Sequence, residues 1–381
     1  MNIAIIGYGV VGGGVHALLQ DGRLGIHVKR VLDIRPLPEL GALLTDNIAD
    51  ILVNPEIDCV VETMGGMHPA LSFATMALRS GKHLVTSNKE LISNALMPLL
   101  EGAALHNAQL RFGASVGGGV PWLHNLMRQK RGDTLLSIEG VVNGTTNYIL
   151  DAMTHGLTFE ASLKEAQRLG YAEADASADL NGIDAQRKCA ISAALAFDTI
   201  VEPSDVPTLG IAGVQQADMA RFAAKGLTCK LMMYAARATD GIIAYVEPTL
   251  LRADALAAHT PTNHNCITLC AEQGGTLSFY GQGAGRYPTA EHVVQDLLDI
   301  QARVPMQQSF ISQKAIVNGR ERHAYYLRSE RLDLVDAGLV DVEEGGAIWT
   351  VPLPVDEAHG LAGKLLAADA GAFVAGVPSR V

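Results

Sequence analysis

The stretch NIAIIGYGVVGGGV, residues 2–15, decides the reading of the first part of the chain. An apolar run over 2–6 stops at Gly7, and the apolar residues of 10–19 suit a buried helix, so the order is strand, turn, helix. Across that turn Gly7, Gly9 and Gly12 stand in the spacing G-x-G-x-x-G. The first glycine permits a tight turn, the second lets backbone approach a pyrophosphate, and the third allows close packing of helix on strand. The helix N-terminus favours the phosphate charge. Asp33 lies 21 residues beyond Gly12, at the end of the next apolar run, where an acid accepts ribose hydroxyls. A glycine turn in some other α/β protein has the same letters; the strand before it, the helix after it and the acid beyond favour a nicotinamide dinucleotide.

The alternation continues outward. β-rich runs at 27–32, 58–62 and 83–86 enclose a helical stretch over 69–79 that Gly81 closes, a pattern that predicts a parallel sheet. A further strand at 109–112 leads to the glycine cluster SVGGGVP at 115–121, which marks the exit from the first domain. A second region opens with a strand at 136–142 and the segment NGTTNYIL, followed by a helix over 159–169 that stops at Gly170. Strand-like runs at 231–236, 242–246, 266–270 and 276–280 give this region a sheet of its own. Beyond Arg303 come strands at 323–328 and 347–352, a helix over 355–370 and a short apolar end. The expected fold is therefore α/β: a Rossmann-type dinucleotide-binding domain (1–125), a second α/β domain (126–310) and a small C-terminal α/β module (311–381).

Composition narrows the function classes. Hydrophobic residues are 48% and charged residues 18% of 381, which fits a globular protein. The net charge of −11, with Lys and Arg scattered, argues against nucleic acid as a partner. Five cysteines without C-x-x-C pairing fit a reducing cytoplasm. The apolar start lacks the basic segment of a secretory signal, and no run approaches the ~18 apolar residues of a membrane span, so no membrane is expected.

Three further stretches carry polar chemistry. TSNKE at 86–90 puts Ser87 and Lys89 just past the carboxyl end of a strand, the edge at which open α/β sheets bind ligands. By itself Lys89 also reads as an ordinary solvated lysine. The segment GYAEADASADLNGIDAQRK at 170–188 holds Glu173, Asp175, Asp179, Asp184 and Lys188; Asp184 and Lys188 are four apart and share one face of a predicted helix. Spacing alone leaves two readings open: an exposed ion pair on a solvated acidic loop, or a site in which carboxylates hold an ammonium and a lysine moves a proton. GQGAGRYPTAEHVVQD at 281–296 is a glycine loop running into a helix that Thr289 caps or Pro288 begins.

Taken together and in this order, GYGVVGGGV, VVETMGG (60–66), TSNKE, SVGGGVP, NGTTNYIL, the 170–188 segment, EPTLL (247–251) and GQGAGRYPTA resemble the homoserine dehydrogenases over residues 1 to about 303. The resemblance implies reversible oxidation of L-homoserine to L-aspartate 4-semialdehyde with NAD or NADP, in aspartate-family amino-acid biosynthesis. It implies Lys188 as the proton donor and acceptor, Lys89 as a second functional lysine, and Glu173, Asp179 and Asp184 as substrate-binding residues. Cofactor contacts fall on Gly7, Gly9, Val10, Val11, Gly12, Asp33, Thr63, Ser87, Lys89 and Gly283. The family is usually a homodimer paired through its second domain.

Two departures qualify the implication. Family members commonly carry a glutamate where this chain has Gly113, in a loop that holds a monovalent cation, so no metal is assigned to Val116 and Gly118. Many members end in a regulatory ACT domain that this tail matches poorly, so threonine inhibition is not expected. Coenzyme choice is expected to favour NAD, with Arg35 near enough to Asp33 to reach a 2′-phosphate. The rivals are a related dehydrogenase of another small hydroxy amino acid, and a catalytically silent NAD(H)-sensing protein. Aspartate-semialdehyde dehydrogenase needs a nucleophilic cysteine, whereas Cys59 lies in an apolar run and Cys189 follows Lys188 in a helix.

Overall fold

A computed structural model describes residues 1–305 and 313–378. These fold into two compact units, one built from 1–125 with the segment from Gln282 to 305, the other from 126–281 with 313–378.

The first unit is a six-stranded sheet among the described residues: β1 (Asn2–Ile6), β2 (His27–Leu32), β3 (Leu44–Thr45), β4 (Cys59–Glu62), β5 (His83–Thr86) and β6 (Leu110–Arg111), in the order β3-β2-β1-β4-β5-β6. Every pair is parallel, the doubly wound arrangement of dinucleotide-binding folds. The order reverses between β1 and β4, so the crevice for a ligand opens beyond Ile6 and Glu62. The strands are buried through Ile3, Ile5, Val31, Val61 and Val85, and helices Val10–Leu19 and Arg286–Gln301 pack on this core.

Helix Arg286–Gln301 corrects an expectation, since the sequence placed it in a second domain ending at 310. Ala290, Val293, Val294, Leu297 and Ile300 recur at helical spacing, and this stripe completes the core of the first unit. The chain therefore returns to its first unit between the strands of the second unit's sheet, before β12 to β16 complete that sheet. The expected boundary at 310/311 lies outside the described residues.

The second unit is a ten-stranded sheet among the described residues. It comprises β7 (Leu135–Val141), β8 (Leu227–Ala238), β9 (Gly241–Arg252), β10 (His264–Ala271), β11 (Gly275–Gln282), β12 (Arg322–Arg328), β13 (Val340–Glu344), β14 (Ala347–Thr350), β15 (Leu353–Pro354) and β16 (Phe373–Val377). The path is β11-β10-β7-β8-β9-β16-β12-β14-β13, with β15 on β12. Strands β8 and β9 form a long hairpin whose register closes at Ala238 opposite Gly241. Helix Ile183–Phe197 packs on that hairpin and is buried along most of its length. The tail has the expected strands and a helix, Val355–Ala368, but over the described residues 313–378 it is not the separate module expected: its strands continue the second sheet through β16 beside β9.

One buried polar cluster ties tail to sheet. Glu247 on β9 accepts hydrogen bonds from His323 (2.8 Å), His359 (3.0 Å) and the Tyr325 hydroxyl (3.2 Å). On β16 a Cβ at Gly376 would come within 2.2 Å of the Glu247 carboxylate, so only glycine admits this approach. Burial pushes the Glu247 carboxyl up, but the two histidines outweigh it and bring the group down to about 2.

Candidate active site

The fingerprint glycines occupy the places their spacing demands. At the end of β1, Gly7 has φ +90° and donates its N–H to Leu32 O at 2.9 Å. A Cβ on Gly12 would lie 2.1 Å from the Gly7 carbonyl and 2.7 Å from Thr63 Oγ1, so any side chain would force helix and strand apart. Thr63, just past β4, donates its hydroxyl to Gly7 O at 2.6 Å and fixes the turn. Above Gly9 there is open space, and the helix beginning at Val10 has no side-chain cap on its first N–H groups. Val10 is 67% exposed. Uncapped amides, a cleared glycine and an apolar neighbour suit a dinucleotide's pyrophosphate.

Asp33 lies just past β2. It accepts the Tyr8 N–H at 2.8 Å, and Arg35 grips both of its carboxylate oxygens. The Arg35 hydrogen bond outweighs burial and holds the Asp33 carboxyl well below the usual range.

At the end of β4 a buried acid organises the loops that follow β4 and β5. Glu62 accepts the Thr86 hydroxyl at 2.6 Å and the Met64 N–H at 2.7 Å, and burial pushes its carboxyl up. The Ser87 N–H points to Glu62 O at 3.4 Å. Asn88 caps helix Lys89–Leu105 by accepting from Leu91 N at 3.1 Å and donates to Gly66 O at 2.7 Å. Lys89 is the half-buried first residue of that helix. The reading of TSNKE singled out Ser87 and Lys89 and passed over Glu62, although VVETMGG contains it.

The two glycine loops of this unit meet. Gly119 donates to Gln282 O at 2.9 Å, and a Cβ on Gly118 would stand 2.4 Å from Gly283 O. Pro288 falls in the first turn of its helix and Gly285 takes the cap, so Thr289 does not. At Gly113 a Cβ would lie 2.3 Å from the His124 ring, which occupies the space a longer side chain would need. His124 instead pairs with Asp296 at 3.1 Å, and that bond raises the imidazole above its ordinary value. Gly113 N–H donates to the other Asp296 oxygen at 2.8 Å.

In the second unit the end of β7 is a hub. Val142, next after the strand, accepts Lys188 Nζ on its carbonyl at 2.6 Å. Lys188 Nζ also lies 2.8 Å from Asp184 Oδ2, one helical turn away. Asn143 donates to Asp179 at 2.6 Å and to Asp184 at 2.8 Å, while its oxygen caps helix Gly144–Thr154 through Thr146 N at 2.8 Å. Burial first, and then the Asp184 charge, push the Asp179 carboxyl up.

Lys188 is 8% exposed and Asp184 6%, which removes the reading of a solvated surface pair. The structure thus brings together Asp179, Asp184 and Lys188. Glu173 is exposed, and its contact among the described residues is a backbone one, from Gln167 at 3.2 Å. The organising groups, the Val142 carbonyl and the Asn143 amide, were not singled out from the sequence; the only signal was NGTTNYIL itself.

Cys59 and Cys189 are fully buried. Burial pushes the Cys59 thiol up, and the Cys189 thiol up to about 12, so neither is a ready nucleophile. No helix among the described residues is long and apolar enough to cross a membrane.

Known proteins fit this arrangement. The family model for the homoserine dehydrogenase NAD-binding domain matches residues 7–113, and that for homoserine dehydrogenase matches 121–298. The homoserine dehydrogenase of Mycobacterium tuberculosis is 38% identical over 317 residues, 78% of this chain and 71% of that protein. That of Bacillus subtilis is 36% identical over 314 residues, 79% and 72% of the two chains. Among solved structures, a homoserine dehydrogenase from Thiobacillus denitrificans superposes with a TM-score of 0.87 at 30% identity, covering 99% of this chain and 98% of its own.

Proposed function

The chain belongs to the homoserine dehydrogenase family, and from that premise we propose how its residues divide the work. The enzyme is an NAD(P)-dependent oxidoreductase that interconverts L-homoserine and L-aspartate 4-semialdehyde. We assign the proton transfer to Lys188 on one observation: its Nζ is buried and held by Asp184 Oδ2 and Val142 O.

An ammonium has three N–H donors. With two directed at Asp184 and Val142, the third is available for the substrate oxygen. In reduction Lys188 donates that proton and stabilises the developing alkoxide; in oxidation the neutral amine takes the hydroxyl proton. Asp179 and Asp184, drawn together by Asn143, supply negative charge for the substrate ammonium, and Glu173 joins them when substrate is bound. Lys89 is the second functional lysine.

Gly7, Gly9, Val10, Val11 and Gly12 would hold the cofactor, with Thr63 securing the turn, Ser87 and Gly283 offering backbone groups, and Asp33 available to accept ribose hydroxyls. When bound, the nicotinamide accepts or returns the hydride. The Asp33 carboxylate favours NAD over NADP. A spectrophotometric assay of homoserine oxidation with each coenzyme, on the native enzyme and on Lys188→Ala, tests both assignments.

A homodimer formed through the second unit is supported by β11, an edge strand exposed along most of its length, with Leu277 37% and Tyr280 55% accessible. Five free thiols, four of them buried, support a cytoplasmic location.

A further inference from the structure

Asn265 is wholly buried near the start of β10. In the antiparallel register of β10 on β7, Cys266 faces Val141, which brings Asn265 to the residue just past β7. Its Nδ2 donates to Val142 O at 3.1 Å. This is the carbonyl that accepts Lys188 Nζ at 2.6 Å. The amide orientation is set by that carbonyl, since turning it over would press two acceptors together. The same orientation leaves Asn265 Oδ1 buried with no hydrogen-bond partner among the described residues. A buried acceptor without a donor is costly, so an asparagine that served only to fill space would be poorly placed here.

From these contacts we infer that Asn265 is a positioning residue for the proton carrier: its amide fixes the Val142 carbonyl so that Lys188 Nζ is held in one direction. The inference rests on the assignment of Lys188 made above. A carbonyl oxygen has two lone pairs. Asn265 takes one, which confines Lys188 to the other and, with Asp184 as the second anchor, aims the remaining N–H. Without the amide donor, Nζ can swing between both lone pairs. The substrate oxygen then meets a less well aimed donor, a loss felt in the chemical step and hardly in binding.

The test uses two full-length variants, the apolar, similarly branched Asn265→Leu and the shape-matched Asn265→Asp, each checked for folding by circular dichroism, so that one reports if the other fails to fold. The substrate is homoserine with hydrogen or deuterium at the carbon that yields hydride. Expected results are a kcat lowered about tenfold, a homoserine KM within about twofold of native, and a larger deuterium isotope effect on kcat. In a Lys188→Ala background the same substitutions lower kcat no further. A folded variant with native kcat overturns the inference. So does a lowered kcat with an unchanged isotope effect that persists in the Lys188→Ala background, which is the signature of a structural role. Failure of the Lys188 assignment shows separately, as near-native turnover by Lys188→Ala alone.

Discussion

Arg35 forks onto Asp33, Nε to Oδ1 at 2.9 Å and Nη2 to Oδ2 at 2.8 Å, and a further bond from Nη2 to Tyr8 O at 2.8 Å pins the fork beside the glycine turn. The acid that should accept ribose hydroxyls therefore carries a cation within reach of a 2′-phosphate. The native enzyme is expected to show a higher kcat/KM with NAD than with NADP. Asp33→Asn removes the repelling charge and releases Arg35, and should shift the NAD:NADP ratio toward NADP by at least ~10-fold, or ~1.4 kcal/mol. A native enzyme that prefers NADP contradicts this.

The tail is expected to confer no threonine inhibition. An allosteric effector typically changes affinity ~5–150-fold, so millimolar threonine leaving the steady-state rate of the full-length enzyme unchanged is the predicted result. The intact chain is the right material, because β16 lies beside β9 and His323 and His359 close over Glu247. Removing the tail would strand a buried carboxylate. Strong inhibition of the full-length enzyme by threonine would overturn the expectation.

Glu247 should make stability fall steeply in acid. Its carboxyl is brought down to about 2 in the fold, below the ordinary 4.5. A depressed carboxyl contributes stability that is fully present above its unfolded value and is lost as pH falls through its folded value. The window is therefore from about pH 4.5 to about 2, and the contribution is roughly 2–4 kcal/mol. Denaturant unfolding across that range should give a shallower pH dependence for Glu247→Gln than for the native protein. Equal slopes would show that the cluster does not govern acid stability.

Legibility in the sequence followed the range of the interactions. The strand-turn-helix at 2–19 is a local pattern and is present as read; the four-residue spacing of Asp184 and Lys188 gives their shared helical face but not their burial, which removes the surface-pair reading. Helix Lys89–Leu105 was not read, because Pro98 and Gly102 interrupt its pattern; the helix accommodates Pro98 with a kink at Ala95. The stripe from Ala290 to Ile300 announces a helix but not the sheet it covers. Least visible were the groups around Lys188. The Val142 carbonyl is backbone, common to every residue, and Asn265 reaches it only through the pairing of β10 with β7.

The most direct test of the account is the turnover of Lys188→Ala. Lys188 and Asp184 form a buried pair, so the substitution should cost about 3–5 kcal/mol of stability, and folded protein must be selected before rates are compared. Coenzyme binding, followed by fluorescence titration, should stay almost native, because the fingerprint and Asp33 are untouched. The predicted result is a kcat for homoserine oxidation lowered at least ~100-fold, the scale of losing a positioned acid or base. Near-native turnover by the folded variant would contradict the account and leave Lys89 as the proton carrier.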